Sequence, residues 1–203
     1  MKRKMFTLVS ILSVLVITAI MLTACARDKA PAEQALKAAE EAINAIKVEA
    51  VKYVPDQVNS LESTLSGLKD KFAKGDYKAV ITEAKALADQ ANQVAAAATA
   101  KKDELTKTWT EMSQGLPKMV EAIQSRVNIL SKSKKLPSNL TAEKFEQVKT
   151  DLEAAKTEWT QALESYQTGM LADSVAKADS VKMKAIEAME ILGLPVPAAT
   201  QPQ

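Results

Sequence analysis

Residues 72–98 read FAKGDYKAVITEAKALADQANQVAAAA. Val54, Val58, Leu61, Leu65, Leu68 and Phe72 lead into this stretch at alternating three- and four-residue spacing. Tyr77, Ile81, Ala84, Ala88, Ala91, Ala95 and Ala98 leave it in the same way, with Val80, Leu87 and Val94 alongside. That period puts apolar side chains on one face of a helix. Between the two stripes, Gly75 suits the left-handed position that ends a helix and Asp76 suits the cap of the next. Two amphipathic helices with a short connection pack antiparallel, as a helical hairpin.

The same spacing extends in both directions. Leu36, Ala39, Ile43, Ile46, Ala50 and Tyr53 predict a helix from Pro31 to about Tyr53, and Pro55 suits the first turn of the next. Beyond the alanines the stripe reaches Leu105, Trp109 and Met112, where Gly115-Leu116-Pro117 predicts a break or kink. A fourth helix then carries Leu116, Val120, Ile123, Val127 and Leu130, and Ser131 to Asn139 forms a polar loop with a lysine cluster. Thr141 caps a fifth with Phe145, Val148, Leu152, Ala155, Trp159, Ala162 and Tyr166, ended by Gly169. The sixth carries Leu171, Val175, Ala178, Val181, Ala185, Met189 and Leu192, and stops at Gly193. The expected fold is all-α: an antiparallel bundle of about six helices. Alternating steps of three and four average near 3.5, which implies left-handed, coiled-coil-like packing. Leu65→Asp should therefore unfold the first hairpin.

The two halves align at an offset of ninety-four residues. Phe72-Ala73-Lys74-Gly75 falls on Tyr166-Gln167-Thr168-Gly169, Ala84 on Ala178, Leu87 on Val181 and Ala91 on Ala185; upstream, Val58 falls on Leu152 and Leu65 on Trp159. Two repeated hairpins are expected, over 31–115 and 116–193, followed by a disordered Pro-containing tail over 194–203.

Lys2-Arg3-Lys4 precedes an apolar run from Met5 to Met21, and Leu22-Thr23-Ala24-Cys25 follows. A run of this length is also compatible with a retained N-terminal membrane helix. The layout resembles the signal peptide and processing box of bacterial lipoproteins, and the chain's one cysteine stands where that box requires it. The resemblance implies a signal peptide over 1–24, cleavage between Ala24 and Cys25, a diacylglycerol on the Cys25 thiol and a further acyl chain, such as palmitate, on the freed amine. Two or more chains anchor stably where one is marginal. It further implies an extracytoplasmic, lipid-anchored protein with a tether over 25–30. Ala26, rather than Asp, after the cysteine implies the outer membrane, facing the periplasm, in a Gram-negative envelope.

Residues 38–94 also resemble a family of small bacterial lipoprotein and envelope helical domains. They share a Pro opening one helix (Pro55-Asp56), a Gly-Asp-Tyr turn (Gly75-Asp76-Tyr77) and an alanine-spaced return helix (Ala79, Ala84, Ala88, Ala91). The second half departs from that pattern, with Gly169-Met170-Leu171 at the turn. The resemblance implies an envelope scaffold and brings no active site with it.

Composition narrows the function. The three positive charges before Cys25 belong to the discarded signal, so the net charge falls from +2 to −1 for the remainder. No strong electrostatic case for nucleic acid or anionic lipid is left. There are no histidines, and beyond the signal only Arg27 and Arg126 supply guanidinium. The commonest general base and the favoured ligand of zinc, haem and copper are missing. Glu40-Glu41, Glu143 with Glu146 and Glu187 with Glu190 lie mostly off the apolar stripes, and a di-iron bundle needs histidines besides. No cofactor and no metal are expected. A Ser–Lys arrangement, which needs only spatial proximity, stays open.

The expectation is a non-catalytic, lipid-anchored envelope protein: a helical scaffold or protein-interaction module held to the membrane through Cys25, with an envelope protein as partner. The alternative is a small-molecule or lipid carrier with an apolar cavity between alanine-rich helices. Trp109, Trp159, Tyr53 and Tyr77 are the candidate interaction residues, because exposed Trp and Tyr anchor interfaces. Core or edge packing is the competing role for each.

Overall fold

The computed structural model describes residues 27–197, and these hold five helices and no strand. They are α1 (27–50), α2 (Pro55–Ala73), α3 (Tyr77–Ser131), α4 (Ala142–Gln167) and α5 (Leu171–Ile191). None of the described helices is long and apolar enough to cross a membrane. The chain divides into two compact units after Thr99, inside α3 rather than at Gly115.

In the first unit, α1, α2 and the beginning of α3 share one apolar core of Ala39, Ile43, Leu61, Leu68, Ala84, Leu87 and their neighbours. Each leucine or isoleucine buried there contributes about 1.5–3 kcal/mol. Ala84 and Ala91 are fully covered, so α3 presents a flat face that lets its neighbours approach closely. Ion pairs record the direction of packing. Lys69 reaches Glu40 at 2.8 Å, and Lys47 reaches Glu62. Seven residues forward on α1 match seven residues back on α2, as antiparallel helices require.

The second unit is built from the rest of α3 with α4 and α5. It buries Leu116, Ile123 and Leu130 on α3, Phe145, Val148 and Leu152 on α4, and Val175, Ala178, Val181 and Ala185 on α5. Thr141 caps α4 by accepting from the Lys144 amide at 3.3 Å. Its side chain thus satisfies one of the amides left without a helical partner.

Two hairpin turns share one backbone pattern. At Gly75 (φ +83°) the Asp76 amide donates to the Lys71 carbonyl and the Gly75 amide to that of Phe72, both at 3.1 Å. At Gly169 (φ +79°) the Met170 amide donates to Ser165 at 2.9 Å and the Gly169 amide to Tyr166 at 3.0 Å. The paired bonds satisfy the last free carbonyls, and they require a left-handed residue that only glycine adopts without strain.

Two expectations are corrected. The predicted third and fourth helices are one, so the described helices number five rather than six. α3 runs unbroken through Gly115 and Pro117. Pro117 removes one amide donor, at a cost of about 3 kcal/mol. Trp109, Leu116, Met119 and Ile123 are all buried along the same stripe on either side of it, which outweighs that loss. The expected tether is also partly helical, because residues 27–30 already belong to α1. Pro31 clashes only with the carbonyl four residues back, at the edge of the described helix, and Ala32 beyond it is fully buried. The signal, the Ala24–Cys25 cleavage site and residues 198–203 of the predicted tail lie outside the described residues.

Candidate functional site

Of the predicted interaction residues, Trp109 and Trp159 come together, and Tyr166 joins them. Trp159 and Tyr166 stand seven residues apart on α4, about 10.5 Å along the axis. Trp109 lies nearly parallel to both, with ring centroids 5.6 Å from Trp159 and 4.7 Å from Tyr166. The two distances together match the gap, so the α3 indole fills the space between the two α4 rings. Each offset stack adds about 0.5–1.5 kcal/mol beyond area burial. Trp109 is only 4% exposed, so it is core and offers no anchor to a partner. Trp159 is half-buried, and Tyr166 is the accessible end of the stack. Tyr77 packs edge-on against Phe72 at 5.2 Å, and Tyr53 packs against the core of the first unit. Cys25 and Ala24 lie outside the described residues.

Tertiary packing also assembles groups that no stripe announced. Ser165 donates to Asp173 at 2.5 Å, and Lys177 donates to the same carboxylate. One layer away, Ser180 donates to Glu158 at 2.7 Å and Lys184 reaches Glu158 at 2.5 Å. The two groupings are one heptad apart on both helices, with serine and carboxylate exchanged between α4 and α5. The Lys177 ammonium beside Asp173, helped by the Ser165 hydroxyl, holds that carboxyl below its ordinary range. Lys184, then Ser180, does the same to Glu158.

These are the Ser–Lys arrangements that the sequence left open, and their geometry is that of a structural clasp. Each lysine is ion-paired, and an ammonium so held has no lone pair to accept a serine proton. Each serine hydroxyl already donates to a carboxylate, and Ser165 is buried. What the layers do is fix the register of α4 against α5: a slip of one turn would strip Glu158 of both Ser180 and Lys184, and would leave Asp173 only the Lys177 of its own helix. The signal that could have found them is Asp173 with Lys177, and Ser180 with Lys184, at four-residue spacing on one helix face.

Comparison with known protein families, curated proteins and solved structures returned no match.

Beside the aromatic stack, α3 forms an apolar groove with α5, of about 440 Å³. Met112, Gly115, Leu116, Met119 and Ala122 line it from α3 and Met189 from α5. Lys118, Lys182 and Glu111 complete its rim, and Pro197 borders it. A Cβ built on Gly115 would meet nothing within 4 Å, so the missing side chain leaves open space there. Among the described residues no cluster of His, Cys, Asp and Glu is placed to hold a metal.

Proposed function

We propose that this is a non-catalytic, lipid-anchored cell-envelope protein whose helical units act as a scaffold or protein-interaction module. The observation that carries it is the lone Cys25, placed directly after Leu22-Thr23-Ala24 and an apolar, basic-headed leader. The ion-paired lysines of the α4–α5 clasp support it, since the two Ser–Lys groupings best placed for chemistry are already committed to structure. The proposed setting is extracytoplasmic, at the outer membrane facing the periplasm in a Gram-negative envelope, with an envelope protein as partner.

We also infer that the two hairpins descend from one repeated unit wound with coiled-coil-like packing. The turns at Gly75 and Gly169 carry the same hydrogen bonds at the ninety-four-residue offset. Burial follows that offset too: Ala84 and Ala178, Leu87 and Val181, Ala91 and Ala185 are all covered.

The test is metabolic labelling with an alkyne fatty acid, followed by membrane fractionation and crosslinking. The chain should be labelled and membrane-bound, Cys25→Ser should abolish both, and one reproducible envelope protein should crosslink to the anchored form. An unlabelled chain recovered free of membranes would refute the anchor. A second role, as a lipid or small-molecule carrier, is favoured by the methionine-lined groove.

A further inference from the structure

We infer that the α3–α5 groove of the second unit binds the acyl chain of a fatty acid, with the carboxylate held by the lysines at its rim. This rests on the carrier role and not on the scaffold role. The size points to one chain: about 440 Å³ lies in the range of small-ligand pockets and is too little for the apolar face of a partner helix several turns long. The lining points to hydrocarbon. Met112, Met119 and Met189 are unbranched and polarisable, so they reshape around a flexible chain.

Gly115 carries the argument further. Glycine inside a helix is unfavourable, and here nothing crowds it, so alanine would fit. What the glycine does is keep the groove open midway along its α3 wall.

The rim supplies the charge. Lys118 and Lys182 border the groove and, among the described residues, make no ion pair, whereas many other lysines of the protein are matched to a carboxylate. Glu111 stands one heptad from Lys118 on α3, which sets a negative end and a positive end along the groove. Arg126 lies one helical turn beyond Ala122, past the Lys118 end, and its buried Nε has no hydrogen-bond partner. A fatty carboxylate at that end would meet Lys118 and lie near the Arg126 side chain with its unsatisfied Nε, while Lys182 borders the same groove from α5.

The test uses the full chain in its own membranes, irradiated with a diazirine-bearing alkyne palmitate, with labelled sites mapped by peptide mass spectrometry. Label should concentrate on the segments carrying Met112, Met119 and Met189. Gly115→Phe should reduce it at least tenfold without lowering the helical melting temperature, and Ala122→Phe serves should that variant melt early. Lys118→Gln with Lys182→Gln should bring palmitate labelling down to that of a diazirine alcohol of equal length. Label placed elsewhere on the chain, equal labelling by acid and alcohol, or indifference to both groove-filling variants would overturn this site. No label on any part of the chain would remove the carrier role as well, while leaving a crosslinked protein partner untouched.

Discussion

The hairpins α2–α3 and α4–α5 turn on the same pair of backbone hydrogen bonds and part company at the side chains. Beside the first turn Lys71 reaches Glu83 at 2.5 Å, one ion pair across the hairpin. At the matching places in the second stand Ser165 and Lys177, with Asp173 drawn between them. The first hairpin meets its neighbours through leucine and alanine, and the second through the ring stack that Trp159 and Tyr166 make with Trp109. One hollow of each unit, that beside α1 in the first and the α3–α5 groove in the second, has a similar size. That of the first, about 390 Å³, is bordered by Ala35, Ala38, Ile81 and Ala88, whereas that of the second is lined by methionine. Backbone geometry at a glycine turn constrains the chain path and little else, so two hairpins of one shape can hold different polar layers and different surfaces.

Leu68→Asp should part the two units most severely. Leu68 is 1% exposed, and an unpaired carboxylate in its place costs several kcal/mol. Hydrogen exchange should show amides of the first unit losing protection while α4 and α5 keep theirs. Simultaneous loss in both would mean that the units do not melt apart. Next comes Trp109→Ala, which empties the space between two rings and should cost the second unit about 3–5 kcal/mol in urea unfolding. The near-ultraviolet dichroism of the stack should vanish, and a cost under about 1 kcal/mol would show the indole to be loosely held.

Gly75→Ala and Gly169→Ala should destabilise their hairpins alike. Both positions need positive φ, so each change should cost about 1–2 kcal/mol, with the two losses equal within about 0.5 kcal/mol. Unequal losses would mean that the shared turn is energetically two different turns.

The smallest effect is on acid stability. Asp173 and Glu158 are held below their ordinary range in the folded chain. Their contribution is therefore complete above the unfolded carboxylate range, about pH 4, and lost as pH falls through the lower folded values. Glu158→Gln should cost about 1 kcal/mol at neutral pH, because the pair is only partly buried, and should flatten the decline below pH 4 in α4–α5. An unchanged slope would remove the clasp from the account of stability.

How far the sequence could be read depends on whether the deciding interaction is local. The stripes of α2, α4 and α5 and the glycine ends at Gly75, Gly169 and Gly193 follow from periods and backbone preferences within a few residues, and they stand where they were expected. Pro117 departs from the local expectation because its cost is genuine and the compensation comes from helices far away in sequence. Trp109 stands on the apolar stripe in the sequence, but nothing within its own turn shows the two α4 rings that enclose it. The Ser165–Asp173–Lys177 and Glu158–Ser180–Lys184 layers are legible only in part: the pairs Asp173–Lys177 and Ser180–Lys184 are local to α5, whereas Ser165 and Glu158 join them only once α4 and α5 are in register.

By itself, the sequence determined that the chain is helical, where its helices turn, and which residue types are missing from any chemistry. Those properties depend on the 3.6-residue period, on the conformational freedom of glycine and on composition. Only the tertiary structure decided that α3 passes through its proline, that Trp109 stacks between two α4 rings, and that Met112, Met119 and Met189 line one groove. Each is settled by what a distant helix places opposite the residue, which no short-range pattern encodes.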